Sequence, residues 1–113
     1  MTLQEIIEKL NLTLLTNPKD FSDVQLSGGY TSDLLSCVMA GAQPANLWIT
    51  LQAHTNIVAV ASLTDCAAII ITEGAQPEED VIEKANSQGV TLLSTNQGNY
   101  QVSGLLWDLL SIN

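Results

Sequence analysis

Residues 52–56, Gln-Ala-His-Thr-Asn, hold the densest group of chemically capable side chains in the chain. Two amides, a hydroxyl and an imidazole can bind a ligand by hydrogen bonds, and the imidazole can also move a proton. The segment follows an apolar run at 47–51, and ligands of open α/β sheets bind beyond such strand ends. Thr55 and Asn56 are also ordinary helix caps, and a single His is common in loops. The segment therefore predicts a ligand site at Gln52, His54, Thr55 and Asn56, with a plain loop as the alternative.

Two further polar groups follow later apolar runs. Thr72, Glu73 and Gly74 come directly after residues 67–71, and Ser94, Thr95 and Asn96 come after residues 90–93. If the three strands are neighbours, their carboxyl ends meet at one edge of the sheet, and these loops line one crevice with residues 52–56. The alternative is that they are turn and cap residues.

The residues offer little for catalysis or metal binding. Cys37 and Cys66 lie far apart, with no second Cys or His at ligand spacing, so we expect reduced thiols and neither a metal nor a cofactor. A nucleophilic pair of a cysteine with His54 is the enzymatic alternative. Gly28 and Gly29 resemble a phosphate-binding loop, but the lysine and further glycines of such loops are missing, which favours a tight turn.

The charge of the chain restricts its partners. The chain has 12 acidic residues against three lysines and no arginine, a net charge of −9. Nucleic-acid binding needs several cations to displace counterions from phosphates, which excludes that class of protein. An anionic ligand would have to be held by backbone N–H groups, hydroxyls or lysine.

Length and hydropathy indicate one domain. A chain of 113 residues is long enough for a single core, and we treat residues 1–113 as one unit. It contains no run of about 18 apolar residues, which a membrane-spanning helix needs. Its N-terminus is amphipathic and acidic, unlike a signal peptide. We therefore expect a cytoplasmic protein without a membrane partner.

The elements that position these residues centre on residues 66–96, which predict a strand, a helix and a parallel strand. Ala67 to Ile71 is uninterrupted apolar sequence, typical of a strand covered on both faces. Pro77 predicts the first turn of the helix, and Gly89 predicts its end. Such β-α-β crossovers are right-handed in nearly all proteins.

The rest of the chain predicts an α/β fold with a mostly parallel sheet of about five strands. We expect helices at 2–10, from Thr31 or Ser32 to Gly41, at 55–64 and at 99–110. Segment 55–64 also fits a strand, but a crossover between parallel strands favours the helix. The other predicted strands lie at 12–15, 24–26 and 47–51.

The last helix also predicts a contact surface. Tyr100, Trp107 and Leu110 lie off its main apolar stripe, which indicates a self-association surface and a homodimer. The alternative is that a neighbouring loop covers them.

Nearly the whole chain resembles the DRTGG domain family, which is named for an Asp-Arg pair after one strand and a Thr-Gly-Gly after the next. Thr72-Glu73-Gly74 resembles the second motif, with Glu73 in place of its first glycine. Gln52-Ala53-His54-Thr55-Asn56-Ile57 stands where the family has Gly-Asp-Arg-x-Asp-Ile, so this chain lacks both named residues of the pair. The resemblance implies a three-layer α/β/α domain, similar to the N-terminal domain of HPr kinase and a middle region of long phosphotransacetylases.

The resemblance also implies a function. Family members occur beside CBS and enzyme domains as regulatory modules, so we expect a non-catalytic module that binds a protein partner or a small ligand, such as a nucleotide or phosphorylated metabolite. The alternatives are a purely structural dimerisation domain and an enzyme using Cys and His. Kinase activity is not expected, because the chain has neither a Walker lysine nor an arginine.

Overall fold

The computed structural model describes residues 1–111 and consists of five α-helices, one short 3-10 helix and five strands. The helices are α1 (Leu3–Lys9), α2 (Leu35–Gly41), α3 (Asn56–Thr64), α4 (Glu79–Gln88) and α5 (Asn99–Leu110), with the 3-10 helix at Phe21–Asp23. The strands are β1 (Thr13–Leu14), β2 (Gly28–Thr31), β3 (Asn46–Thr50), β4 (Ala68–Ile71) and β5 (Leu92–Ser94).

The strands form one sheet in the order β1-β5-β4-β3-β2. Strands β2 to β5 are parallel, and β1 joins β5 antiparallel at one edge. Helices α2, α3 and α4 connect successive parallel strands, as crossovers between parallel neighbours require. The predicted α/β class, with a mostly parallel sheet of five strands, is confirmed.

The two faces of the sheet carry separate cores, because alternate strand residues point to opposite sides. Leu47, Ile49 and Ile70 pack with α1 and α5 on one face. Trp48, Ile69 and Ile71 pack with α2, α3 and α4 on the other. The three layers implied by the family resemblance are therefore present.

The central β-α-β unit and the helix at 55–64 follow the sequence prediction. All four residues of β4 are buried, as a strand covered on both faces requires. Helix α4 ends at Gly89, whose φ of 72° is the left-handed conformation that glycine adopts without strain. Pro77 was predicted in the first turn, which is wrong: it precedes the N-cap residue Glu78.

The second strand lies later than predicted. The sequence favoured residues 24–26, but that segment is bonded to the start of α1: the Leu3 N–H donates to the Val24 carbonyl and the Leu26 N–H to the Met1 carbonyl. The ladder with β3 starts only at Gly28. Gly28 and Gly29 therefore belong to an edge strand, and neither the predicted tight turn nor a phosphate loop is present there.

Helix α2 is shorter and less buried than expected. Thr31 lies in β2, and α2 begins at Leu35 without a side-chain cap, so the predicted cap at Thr31 or Ser32 is wrong. Within α2 only Val38 is buried, and Met39 is exposed. Helix α5 has the predicted bounds, but only Val102 and Leu106 of its apolar stripe are fully buried.

Candidate functional site

The candidate site lies at the carboxyl edge of the parallel sheet. Strands β3, β4 and β5 are direct neighbours and run in the same direction, so the loops after them emerge side by side. Open α/β sheets hold their ligands at this edge. The adjacency on which the sequence analysis depended is therefore present.

A cavity of about 400 Å³ opens between the β3–α3 loop and the start of α4, and we call it the His54 cavity. Its lining consists of Gln52, Ala53, His54, Thr55, Gln76, Glu78, Asp80 and Val81. Three of the four residues predicted in segment 52–56 thus share one cavity. Asn56 is the first residue of α3 and does not line it.

Internal hydrogen bonds orient one side of the His54 cavity. The Gln52 Nε2 donates to the backbone carbonyl of Asp33 at 3.1 Å, and the Gln52 N–H donates to Thr50 Oγ1. His54 is exposed, and its Nδ1 lies 3.4 Å from Thr55 Oγ1. The Gln52 side chain is held in place, while the imidazole of His54 faces the open cavity.

The opposite side of the cavity is acidic and comes from the start of α4. Glu78 and Asp80 line it, and the lining contains no lysine. Among residues 1–111, the side chains of Gln76, Glu78 and Asp80 make no hydrogen bond to another residue. All three side chains are available to a ligand, but the negative charges of Glu78 and Asp80 disfavour a phosphate inside the cavity.

The predicted residues after β5 line a different cavity. Ser94 and Thr95, together with Asn96, contribute to a cavity of about 540 Å³ beside the loop after α1. Gln76 lines both cavities, so the two adjoin at that residue. The structure thus divides the expected single crevice into two.

The segment Thr72-Glu73-Gly74 is engaged in bonds to the start of α5. Thr72 is fully buried, and its hydroxyl donates to Asn99 Oδ1. The Asn99 N–H donates to Glu73 Oε2 at 3.1 Å, and the Gly74 N–H donates to the Thr95 carbonyl. Thr72 and Glu73 connect β4 to α5, Gly74 connects to the residue after β5, and none of the three lines the His54 cavity.

Asp33 is the residue at this edge that the sequence analysis missed. Its Oδ1 accepts from Thr50 Oγ1 and the Leu51 N–H, each at 2.8 Å, and the Asn99 amide donates to Oδ2 at 3.2 Å. In the sequence, a lone Asp before a helix indicates only a helix cap. The hydrogen-bond partners of Asp33 lie up to 66 positions away in the chain. A recognisable signal was absent, because only the sheet brings these groups together.

The structure gives no support to Cys–His chemistry. Cys66 Sγ lies 3.0 Å from Thr64 Oγ1, and burial raises the pKa of this thiol, which keeps it protonated. Within residues 1–111, no group of three His, Cys, Asp or Glu residues is arranged to hold a metal ion. Both cysteines are free thiols.

The predicted contact residues on α5 are in part exposed. Tyr100 is 92% exposed and Trp107 is 73% exposed. Leu110 is half-buried and packs against the core formed with α1. The first two remain candidates for a contact surface.

Comparison with known proteins decides the family. The model of the DRTGG domain matches residues 31–108, which is more than half of the chain. This chain belongs to the DRTGG domain family. The match includes the His54 cavity and α5 as far as Asp108.

The fold is similar to that of solved structures, of which we describe one. It comprises the CBS and DRTGG domains of the regulatory region of a Clostridium perfringens pyrophosphatase, complexed with the activator diadenosine tetraphosphate. The TM-score is 0.74 over 93% of this chain, at 16% sequence identity, and the match spans only 45% of that chain. No curated protein sequence matches. Across residues 1–111, no helix has the length and hydropathy needed to cross a membrane.

Proposed function

We propose that this DRTGG domain is a non-catalytic regulatory module whose His54 cavity binds a small effector. The observation that carries the proposal is the contrast between two sets of polar residues at one sheet edge. Asp33, Thr72 and Asn99 are consumed in internal hydrogen bonds. His54 and Gln76, in contrast, face an open cavity of about 400 Å³, and their side chains have donors and acceptors available to a ligand.

The lining narrows the class of effector. Glu78 and Asp80 repel a phosphate inside the cavity, so a small phosphorylated metabolite is a poor fit. A nucleotide fits if its uncharged base and ribose enter the cavity and its phosphates stay in solvent. The amides of Gln52 and Gln76 then match the donor and acceptor edge of a base. A nucleotide activator of the regulatory region with the similar fold supports this class.

The test is a thermal-shift titration of the whole chain with adenosine, AMP, ATP and diadenosine tetraphosphate. A ligand at about 100 times its dissociation constant should stabilise the native state by about 2.7 kcal/mol, a shift of several degrees. If the base and ribose occupy the cavity, adenosine alone should produce a shift. Flat curves for all four compounds would reject the nucleotide proposal.

Two variants and a control assign any shift to the cavity. Gln76→Ala and His54→Ala should each remove the shift while leaving the unliganded melting temperature unchanged, because neither side chain supports the fold. Gln88→Ala, an exposed glutamine at the end of α4, should keep the full shift. A shift that survives both cavity variants would place the ligand elsewhere.

Three finer statements belong to the same proposal. Residues 1–113 act as one domain, and the module works in the cytoplasm, a reducing compartment that suits its two free thiols. It also acts as a homodimer. A second candidate function, a structural interaction domain, is favoured by the exposure of Tyr100 and Trp107.

A further inference from the structure

Helix α5 presents an exposed face that is unusual for a helix packed on a sheet. Tyr100 is 92% exposed and Trp107 is 73% exposed, whereas Val102 and Leu106 on the opposite face are buried. A concave surface of about 720 Å³ runs along the exposed face. The exposed residues of α5 are Tyr100, Gln101, Gly104, Leu105, Trp107 and Asp108.

Gly104 lies at the centre of this face, and the fold does not explain it. Glycine is the least favourable residue inside a helix after proline. A Cβ added at position 104 would meet no atom within 4 Å, so packing inside the chain does not require its absence. The missing side chain leaves a notch between the two exposed aromatic rings. Such a notch allows another backbone to approach closely.

The charge of the face indicates what covers it. The chain has a net charge of −9, yet α5 carries one charged residue, Asp108. A basic partner would be attracted to acidic segments such as the start of α4, where Glu78, Glu79 and Asp80 follow one another. A like-charged partner, in contrast, meets little repulsion on α5. A second copy of this chain is such a partner.

We propose that two copies associate through α5, antiparallel across a two-fold axis that passes by Gly104. In a two-fold contact, residue i meets residue j and j meets i. Centring the axis on position 104 places Tyr100 opposite Asp108 and Gln101 opposite Trp107. The phenol hydroxyl can then donate to the carboxylate, and the indole N–H can donate to the amide oxygen. The face is complementary to itself, and this surface is separate from the proposed effector site.

The first test uses Gly104→Ala. The proposal requires this substitution to weaken the dimer and to stabilise the monomer. Sedimentation equilibrium should give a dimer for the wild type and a dimer dissociation constant raised at least about tenfold in the variant. At protein concentrations where both are monomers, the variant should melt at a higher temperature, because alanine favours the helix. A wild type that stays a single chain at high concentration overturns the proposal and leaves the face to a different protein. So does an unchanged dissociation constant.

The second test introduces first a repulsive and then an attractive charge pair across the two-fold axis. Tyr100→Asp places a carboxylate opposite Asp108 of the other copy and should dissociate the dimer. Adding Asp108→Lys should restore it. Within one helix the two positions are separated by eight residues, about 12 Å, so a strong rescue must act between copies.

A matched control distinguishes rescue by the charge pair across the axis from rescue by a change in net charge. Tyr100→Asp combined with Glu83→Lys has the same total charge, but Glu83 lies on the exposed side of α4. This combination should stay monomeric. Equal rescue by both double variants, or rescue by neither, would overturn the two-fold arrangement, whatever the outcome of the nucleotide titration.

Discussion

The carboxylate of Glu73 accepts a hydrogen bond from the backbone N–H of Asn99, the first residue of α5, at 3.1 Å. A negative charge at a helix N-terminus is stabilised by the unpaired N–H groups there. A Cβ at Gly98 would lie 2.8 Å from Glu73 Oε2, so the N-cap glycine makes room for this carboxylate. Glu73, which replaces the first glycine of the Thr-Gly-Gly motif, thus acts as a cap supplied by a distant loop.

Removing the charge of Glu73 should destabilise the fold modestly. We expect Glu73→Gln to lower the free energy of unfolding by about 0.5–1 kcal/mol in urea denaturation, because the helix end loses its anion. Glu83→Gln, on the exposed side of α4, is the control and should change it by less than about 0.5 kcal/mol. Equal losses in both variants would show that the cap contributes nothing.

The backbone at Glu73 permits a second comparison. Its φ of 62° lies in the left-handed region, which glycine adopts without strain. Glu73→Ala and Glu73→Gly both lose the cap. The difference between their free energies of unfolding therefore measures the cost of the left-handed backbone alone. The glycine variant should be more stable than the alanine variant by about 1 kcal/mol in the same urea experiment. A more stable alanine variant would contradict the left-handed assignment.

The Asp33 carboxylate should matter more than an ordinary polar residue. Asp33→Ala leaves Thr50 Oγ1 and the Leu51 N–H without their acceptor, and we expect a loss of about 2–3 kcal/mol. Asp33→Asn keeps one oxygen acceptor and should lose less. Chemical denaturation measures both variants, and a loss for Asp33→Ala no larger than for Asp33→Asn would argue against the observed bonds.

Burial and a hydrogen bond should make Trp48 essential to the core. It is fully buried, and its Nε1 donates to the Ser32 carbonyl at 2.9 Å. Trp48→Phe leaves a void and an unpaired carbonyl, at a cost of about 2–4 kcal/mol. The other tryptophan is the control: Trp107→Phe, studied at dilute concentration, should cost less than about 0.5 kcal/mol and leave only blue-shifted fluorescence from Trp48.

The capping box of α1 predicts a dependence of stability on pH. Thr2 Oγ1 accepts from the Glu5 N–H. In return, the Thr2 N–H and hydroxyl donate to Glu5 Oε1, and these two bonds lower the pKa of Glu5 in the native state below its usual value. The folded state therefore binds this proton less readily than the unfolded state. The contribution is complete above about pH 4.5 and is lost as the pH falls through the lowered pKa.

Urea midpoints between about pH 3 and pH 6 measure this effect. Glu5→Gln should flatten part of the acid limb of the stability curve. Asp20, whose pKa the Ser22 hydroxyl and N–H also lower, accounts for a further part that should survive in the variant. An unchanged acid limb in Glu5→Gln would contradict the role of the capping box.

The sequence by itself determined the elements whose signals are local. The apolar run of β4, the left-handed stop at Gly89 and the bounds of α5 each depend on residues within a few positions of one another. Local propensity and periodicity are sufficient in such segments. The sequence did not determine the order of the sheet: β2 to β5 are consecutive neighbours, as short crossovers favour, but β1 pairs with β5.

Tertiary structure decided the position of β2 and the composition of the candidate site. Residues 24–26 have the propensity of a strand, but bonds to Met1 and Leu3 occupy their backbone, and the ladder starts at Gly28 instead. The sequence placed Gln52, His54 and Thr55 at the carboxyl edge of the sheet, where the structure has them. It could not place Asp33 or Gln76 there, nor show that Thr72 and Glu73 serve α5. Their hydrogen bonds and shared cavities join residues distant in the chain, and only the packed sheet brings these residues together.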